Sequence, residues 1–192
     1  MGEIHQPQPV LLILAAFSRD VGAMDWGRAT AVDAWGPVAL SSDAFDFTET
    51  DYYQATMGAK LKKQFLAFER LGDPGDLPRI KRQTNEWEAI YAKMESQGRG
   101  GKGGSEQDFR RPLNLDPGYI TEAKVVLAST KDHAHRIYLA DGIYAEVTLH
   151  FQNRKWRHRD WTFPDYRRND YHAFFTECRD YLRTRRRKGG PT

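Results

Sequence analysis

His135-Arg-Ile-Tyr-Leu-Ala-Asp-Gly-Ile-Tyr-Ala-Glu-Val-Thr-Leu149 decides the fold, because it reads as two strands around one tight turn. Asp141-Gly142 suits the two-residue turn whose central positions both need positive φ. On either side, aromatic and branched residues alternate as strand residues do. With a two-residue loop, Leu139 faces Tyr144, Ile137 faces Glu146 and His135 faces Thr148, and these six share one face. The opposite face carries Ile143, Ala145, Val147, Leu149 and Phe151 with Tyr138 and Arg136, and it is the better core face. A second turn at Asn153-Arg154 extends an antiparallel meander over Ala134–Phe163. It sets Arg159 opposite Thr148 and Trp161 opposite Glu146. A one-residue slip at either turn exchanges the two faces.

Outward from the meander, Val10–Phe17 is continuously apolar, as a strand buried on both faces should be. Trp26, Ala29, Val32 and Trp35 mark a helix over 24–35, stopped by Gly36-Pro37. Val38–Leu40 leads a second strand. Thr48 with Asp51 reads as a capping box for a short helix through Met57, ended by Gly58. Leu61–Leu71 is a half-buried strand. Asp76 is a good N-cap for a helix to about Ser96, with Leu77, Ile80, Trp87, Tyr91 and Met94 on one face. Five glycines in 98–105 make a flexible loop. Asn114–Tyr119 reads as a turn and Thr121–Leu127 as a helix. A last helix from Asn169 carries the stripe Tyr171, Phe174, Phe175, Cys178, Tyr181 and Leu182. The expectation is one α+β domain over 1–182, a mixed β-sheet with the C-terminal antiparallel meander and helices packed on it, followed by a basic, disordered tail at 183–192.

The only cysteine, Cys178, rules out an intramolecular disulfide and a cysteine-based zinc site. The run at 10–17 is far too short to span a bilayer and lacks the basic segment of a secretory signal. A cytoplasmic protein with no membrane partner is expected. Charge is uneven: residues 150–192 hold 12 Lys/Arg against 5 Asp/Glu, while 1–149 hold 17 against 21. A nucleic-acid binder would be expected to spread its basic charge over a folded face.

Candidate chemistry sits on the polar face of the meander, where His135, Glu146, Thr148 and Arg159 lie among Tyr144 and Trp161. Convergent polar groups bordered by aromatics are what a ligand pocket needs. Just upstream, Thr130–Arg136 packs six polar side chains into seven residues. Three readings fit: phosphate or carboxylate binding by Lys131, His135 and Arg136; a divalent metal held by His133 and His135 with Glu146; or a solvated turn with one salt bridge. Gly98–Gly104 lacks the spacing of a phosphate-binding loop, since Gly103 follows Lys102 and no Ser or Thr holds the metal position. The acidic cluster Asp43, Asp46, Glu49 and Asp51 could hold Mg²⁺, but Thr48 and Asp51 are explained more cheaply as helix-capping groups. Cys178 reads as a buried small hydrophobe.

Gln6-Pro7, Asp51-Tyr-Tyr53, Asn114-Leu-Asp-Pro-Gly-Tyr119, Thr130-Lys-Asp132, His135–Tyr138, Gly142–Leu149 and Trp161-Thr-Phe-Pro-Asp-Tyr166 together resemble an uncharacterised bacterial family, domain of unknown function 4416. The resemblance implies no particular activity or cofactor. The leading expectation is a pocket for a small anionic, phosphorylated ligand with hydrolase or transferase chemistry. Lys131 and Arg136 would neutralise the anion, His135 would move a proton and Glu146 would orient it, with Tyr119 or Tyr144 as hydrogen-bond donor. Arg136 is the weakest member, because the register sends it to the core face. The rivals are an RNA-binding module using the basic meander and tail, and an interaction protein that docks a partner on exposed aromatics. Oligomeric state is not legible.

Overall fold

The structure, a computed structural model, describes residues 2–50, 53–98 and 111–188. Strand β1 (Val10–Ser18) is buried along its whole length and lies near the middle of a nine-stranded sheet, as its unbroken apolar sequence demands. The other strands are β2 (Val38–Ser41), β3 (Phe45–Asp46), β4 (Lys62–Gly72), β5 (Asn114–Ile120), β6 (Lys124–Ser129), β7 (Ile137–Ala140), β8 (Ile143–Gln152) and β9 (Lys155–His158). The sheet order is β2-β4-β1-β5-β6-β8-β7, with β3 beside β4 and β9 beside β8. The fold is α+β, with every pairing antiparallel rather than mixed.

Alternation along β1 creates two cores. Leu11, Ile13 and Ala15 point toward helix α4 (Asn169–Lys188), whose Tyr171, Phe174, Phe175, Cys178 and Leu182 form the expected stripe. Leu12, Leu14 and Ala16 point the other way, toward α1 (Val21–Trp35) and α3 (Leu77–Gly98). Asp20 caps α1 by accepting from Gly22 N. Burial pushes the Cys178 thiol up, which suits a residue that only packs.

Several expectations need correction. Residues 114–120 are a strand rather than a turn, and 124–129 are its hairpin partner rather than a helix. Gly118 is required by close packing: a Cβ there would collide with the Val126 carbonyl on β6. Pro117 lies just where pairing with β6 begins, at Gly118. Val125 and Val126, both β-branched, suit a sheet better than a helix. The short helix α2 (Gln54–Met57) starts six residues after Thr48 and has no side-chain cap, although Gly58 ends it at φ 86° as expected. Met94 is 49% exposed and leaves the buried stripe of α3. The glycine-rich loop falls largely outside the described residues. Helix α4 continues through Lys188, six residues into the stretch read as a tail. Arg183 pairs with Glu122, and Arg186 donates to the Pro9 carbonyl at 2.7 Å.

The meander forms, but two bulges change its faces. Asp141 and Gly142 have φ of 53° and 75°, and Asn153 and Arg154 of 50° and 61°, so both turns are of the expected two-residue kind. Ala140 faces Ile143, yet Tyr138 faces Tyr144 and Ile137 faces Ala145, because the register shifts by one around Leu139. A second shift sets Val126 against Val147 but Val125 against Leu149, leaving Thr148 as the extra residue. The expected core face therefore splits. Ile143 and Ala145 pack toward α3, Leu149 and Phe151 pack toward α4, and Val147 is exposed.

Candidate functional site

Glu146 is the centre of the site. It points from β8 to the α4 face and is buried, with only 3% of its surface exposed. A buried carboxylate needs partners, and three side chains supply them. Arg136 Nε donates to its Oε2 at 2.8 Å, His135 Nε2 lies 3.2 Å from the same oxygen, and Thr148 Oγ1 donates to Oε1 at 3.0 Å. The sequence reading brought His135, Glu146 and Thr148 together and sent Arg136 to the core face. The structure brings in all four. Strand β7 begins only at Ile137, and Arg136 N donates to His133 O in a turn, so strand alternation does not govern residues 133–136. The Arg136 guanidinium also donates to Ser129 Oγ at 2.6 Å and to the Lys131 carbonyl at 3.1 Å. Neutralising Glu146 and tying down this turn are thus its roles.

The edge of the sheet is open beside this cluster. Strand β7 covers residues 143–145 of β8 and β9 covers 149–152, which leaves Glu146, Val147 and Thr148 between them. Side chains fill the gap: Trp161 Nε1 donates to the Val147 carbonyl at 3.4 Å and Thr162 Oγ1 to the Thr148 carbonyl at 2.7 Å. The His135 ring stacks at 5.5 Å on Trp161 and at 5.8 Å on His133. Tyr144 lies on the same face as Glu146. Partial desolvation, then the Asp132 carboxylate and a hydrogen bond to it, raise its phenol pKa.

Three predicted residues stand apart. Tyr119 faces Val126 on the α3 side of the sheet, opposite to Glu146. Arg159 is exposed, and it enters the hydrogen bonding through its backbone N–H, which donates to Thr162 Oγ1. Lys131 is exposed at the rim, its carbonyl held by Arg136. Among the described residues no three His, Cys, Asp or Glu side chains are grouped to hold a metal ion, so His133, His135 and Glu146 do not form such a cluster.

Sequence reasoning missed a second set of buried charges at the end of the sheet formed by the last residues of β1. Lys63 and Asp165 pair at 2.7 Å, each side chain only 5% exposed. The Lys63 ammonium is 4.4 Å from the Tyr166 ring centroid and near Phe17, Phe47 and Phe65. Beside it, β5 runs past the point where β6 stops pairing with it. The backbone of Leu115 is satisfied instead from α3: Glu88 Oε1 accepts from Leu115 N at 2.7 Å and Lys81 Nζ donates to Leu115 O at 3.1 Å. These residues are seven apart, two helical turns, so one face of α3 replaces a strand partner. Lys81 also meets Asp116 Oδ1 at 3.1 Å, Asn114 donates to Asp116 Oδ2, and Arg111 grips Glu88. Desolvation works to raise the Asp116 pKa, but Lys81, then Lys63 and Arg111, more than offset it and hold the carboxyl below its ordinary range. At Glu88 burial wins over Lys81 and Arg111, and the pKa is raised. Tyr166 joins the two charged regions. Burial, followed by the carboxylates of Asp165 and Asp116 and more weakly Glu146, pushes its phenol well up. The Tyr166 and Tyr171 hydroxyls are buried with no hydrogen-bond partner among the described residues. A Lys in an otherwise aromatic-rich strand (Lys63) and an Asp before a Tyr (Asp165-Tyr166) were the only traces of this set in the sequence.

An antiparallel sheet between α4 on one side and α1 and α3 on the other, with ion pairs closed inside it, defines a three-layer α+β protein. The family model for a domain of unknown function (DUF4416) matches residues 8–181, and the chain belongs to that family. No curated protein and no solved structure matches it. No helix among the described residues is long and apolar enough to cross a membrane.

Proposed function

We propose that the protein binds a small anionic, phosphorylated ligand at the open edge between β7 and β9 and carries out hydrolase or transferase chemistry there. The observation that carries this reading is the contact of His135 Nε2 with Glu146 Oε2 at 3.2 Å. Glu146 cannot turn away, because Arg136 and Thr148 hold it, so it fixes which ring nitrogen faces inward. Nδ1 is left to exchange a proton with a bound group, and imidazole does this near neutral pH. The flat stack of His133, His135 and Trp161 suits a planar part of the ligand, and Tyr144, held in its protonated form, suits a donor. Lys131 and Arg159 take the anion-neutralising role at the rim, since Arg136 is engaged with Glu146. The protein would act in the cytoplasm.

Thermal shift and turnover with nucleotides and sugar phosphates test this reading. Selective stabilisation that His135→Ala and Glu146→Gln each remove is expected. A response that survives His135→Ala sinks the catalytic assignment.

The second reading is a protein-docking edge. Strand β7 is exposed at every residue, with Ile137 at 73% and Tyr138 at 58%. An edge strand of that kind accepts a further strand. Under this reading no small anion stabilises the protein, and Ile137→Lys abolishes association with a partner.

A further inference from the structure

The end of the sheet remote from the buried ion pairs holds a cavity of about 370 Å³ between α1, the start of α3 and strands β1, β4 and β5. That volume is within the range of small-molecule sites, ~300–1,000 Å³. Its floor is apolar: Val10 and Leu12 from β1, Trp35 from α1, and Leu77 and Ile80 from α3. Some of the polar groups at its walls are paired with one another and others are not.

The acidic groups of the lining are already engaged. Asp73 accepts from Gly75 N at 2.7 Å, and Asp76 accepts from Arg79 Nε at 3.3 Å. Gln83 Oε1 accepts from Trp35 Nε1 at 2.8 Å, which fixes the amide orientation and leaves the Gln83 NH₂ turned elsewhere. Among the described residues, that NH₂, the Tyr119 hydroxyl and the Arg70 guanidinium donate to no protein atom. Burial raises the Tyr119 pKa, so the phenol keeps its proton and remains a donor. The walls therefore offer a guanidinium, an amide NH₂ and a phenol over an apolar floor.

Such a set calls for a ligand with an acceptor-rich, negatively charged end and an apolar body. We propose that this cavity binds an apolar monocarboxylate, with Arg70 pairing the carboxylate, Tyr119 and Gln83 donating to it, and the hydrocarbon or aromatic part lying against Trp35, Leu12 and Ile80. Charge-assisted bonds from a guanidinium to a carboxylate are among the stronger polar contacts. The site is separate from the His135–Glu146 edge and on the other face of the sheet, and it stands or falls independently of the activity proposed there.

Titration calorimetry and thermal shift of the full chain with octanoate, 4-phenylbutyrate and indole-3-acetate, each beside its uncharged amide, test the proposal. At least one acid is expected to bind and raise Tm while its amide binds at least about tenfold more weakly, the order of one lost charged hydrogen bond. Arg70→Glu, at an exposed residue with no internal partner, should fold normally and lose that binding. Tyr119→Phe should weaken it, and Ala34→Trp, at the rim, should block it. His135→Ala should leave it unchanged. No binding by any of the three acids, equal binding of acid and amide, or full binding by Arg70→Glu would each overturn the proposal.

Discussion

The two ends of β1 face opposite kinds of chemistry. Around Phe17 and Ser18 the charges are matched: Lys63 with Asp165 in the interior, and beside them the partly buried pairs Lys81 with Asp116 and Arg111 with Glu88. Around Val10 and Leu12 the walls of a cavity carry three donors, from Arg70, Gln83 and Tyr119, that bond to no protein atom among the described residues. A matched buried pair answers its own desolvation and needs nothing from outside. Unmatched donors over an apolar floor are better served by a ligand. The difference separates charge that holds the fold from polarity that is free to recognise something.

The sharpest way to break that contrast is to remove one charge at each end. Lys63→Ala leaves Asp165 buried and alone, and a loss of about 3–5 kcal/mol is expected in urea unfolding. Arg70→Ala should change stability by less than about 0.5 kcal/mol. Similar losses in the two variants would erase the distinction.

A smaller, pH-dependent effect sharpens it. Because Lys81, Lys63 and Arg111 lower the Asp116 pKa against the desolvation that raises it, the contribution of Asp116 is fully present above its unfolded value, ~3.9. That contribution disappears as pH falls through the lower folded value. Glu88 has the opposite sign: its raised folded pKa makes ionisation unfavourable above that value, and acid relieves this. Asp116→Asn should therefore flatten the acid limb of the stability profile, and Glu88→Gln should steepen it. Stability measured from pH 3 to 7 in both variants checks the signs.

The smallest effect is expected at Tyr171. Its hydroxyl is buried without a partner among the described residues, so Tyr171→Phe should be neutral or stabilising by up to about 1 kcal/mol. A clear loss in thermal unfolding would mean that the hydroxyl is satisfied, by water or by a bound group.

Much of this arrangement was legible in the sequence, and the failures have physical causes. Val10–Phe17, the stripe of α4 and both meander turns follow from local periodicity and turn chemistry. Residues 114–129 do not, because Pro117-Gly118 carries a turn signature while Gly118 actually makes room for Val126 O. The bulges around Leu139 and Thr148 have no local signature, yet each flips the alternation on which a face assignment rests. His135 and Glu146 were still found together, because the chain turns at His133–Arg136 and restores the contact that register alone would have lost. Lys63–Asp165, 102 residues apart in the chain, could not be paired by any local rule.

The central position of β1 also sets a timetable. Among the described strands it leaves the ribosome before the others, and it is bordered by β4 on one side and β5 on the other. Its partner β5 begins at Asn114, about 100 residues later, a delay on the order of 5–20 s at ordinary translation rates. Throughout that interval one flank of this apolar strand has no neighbour of its own, and an unpaired edge of that kind is where a growing chain is open to aggregation.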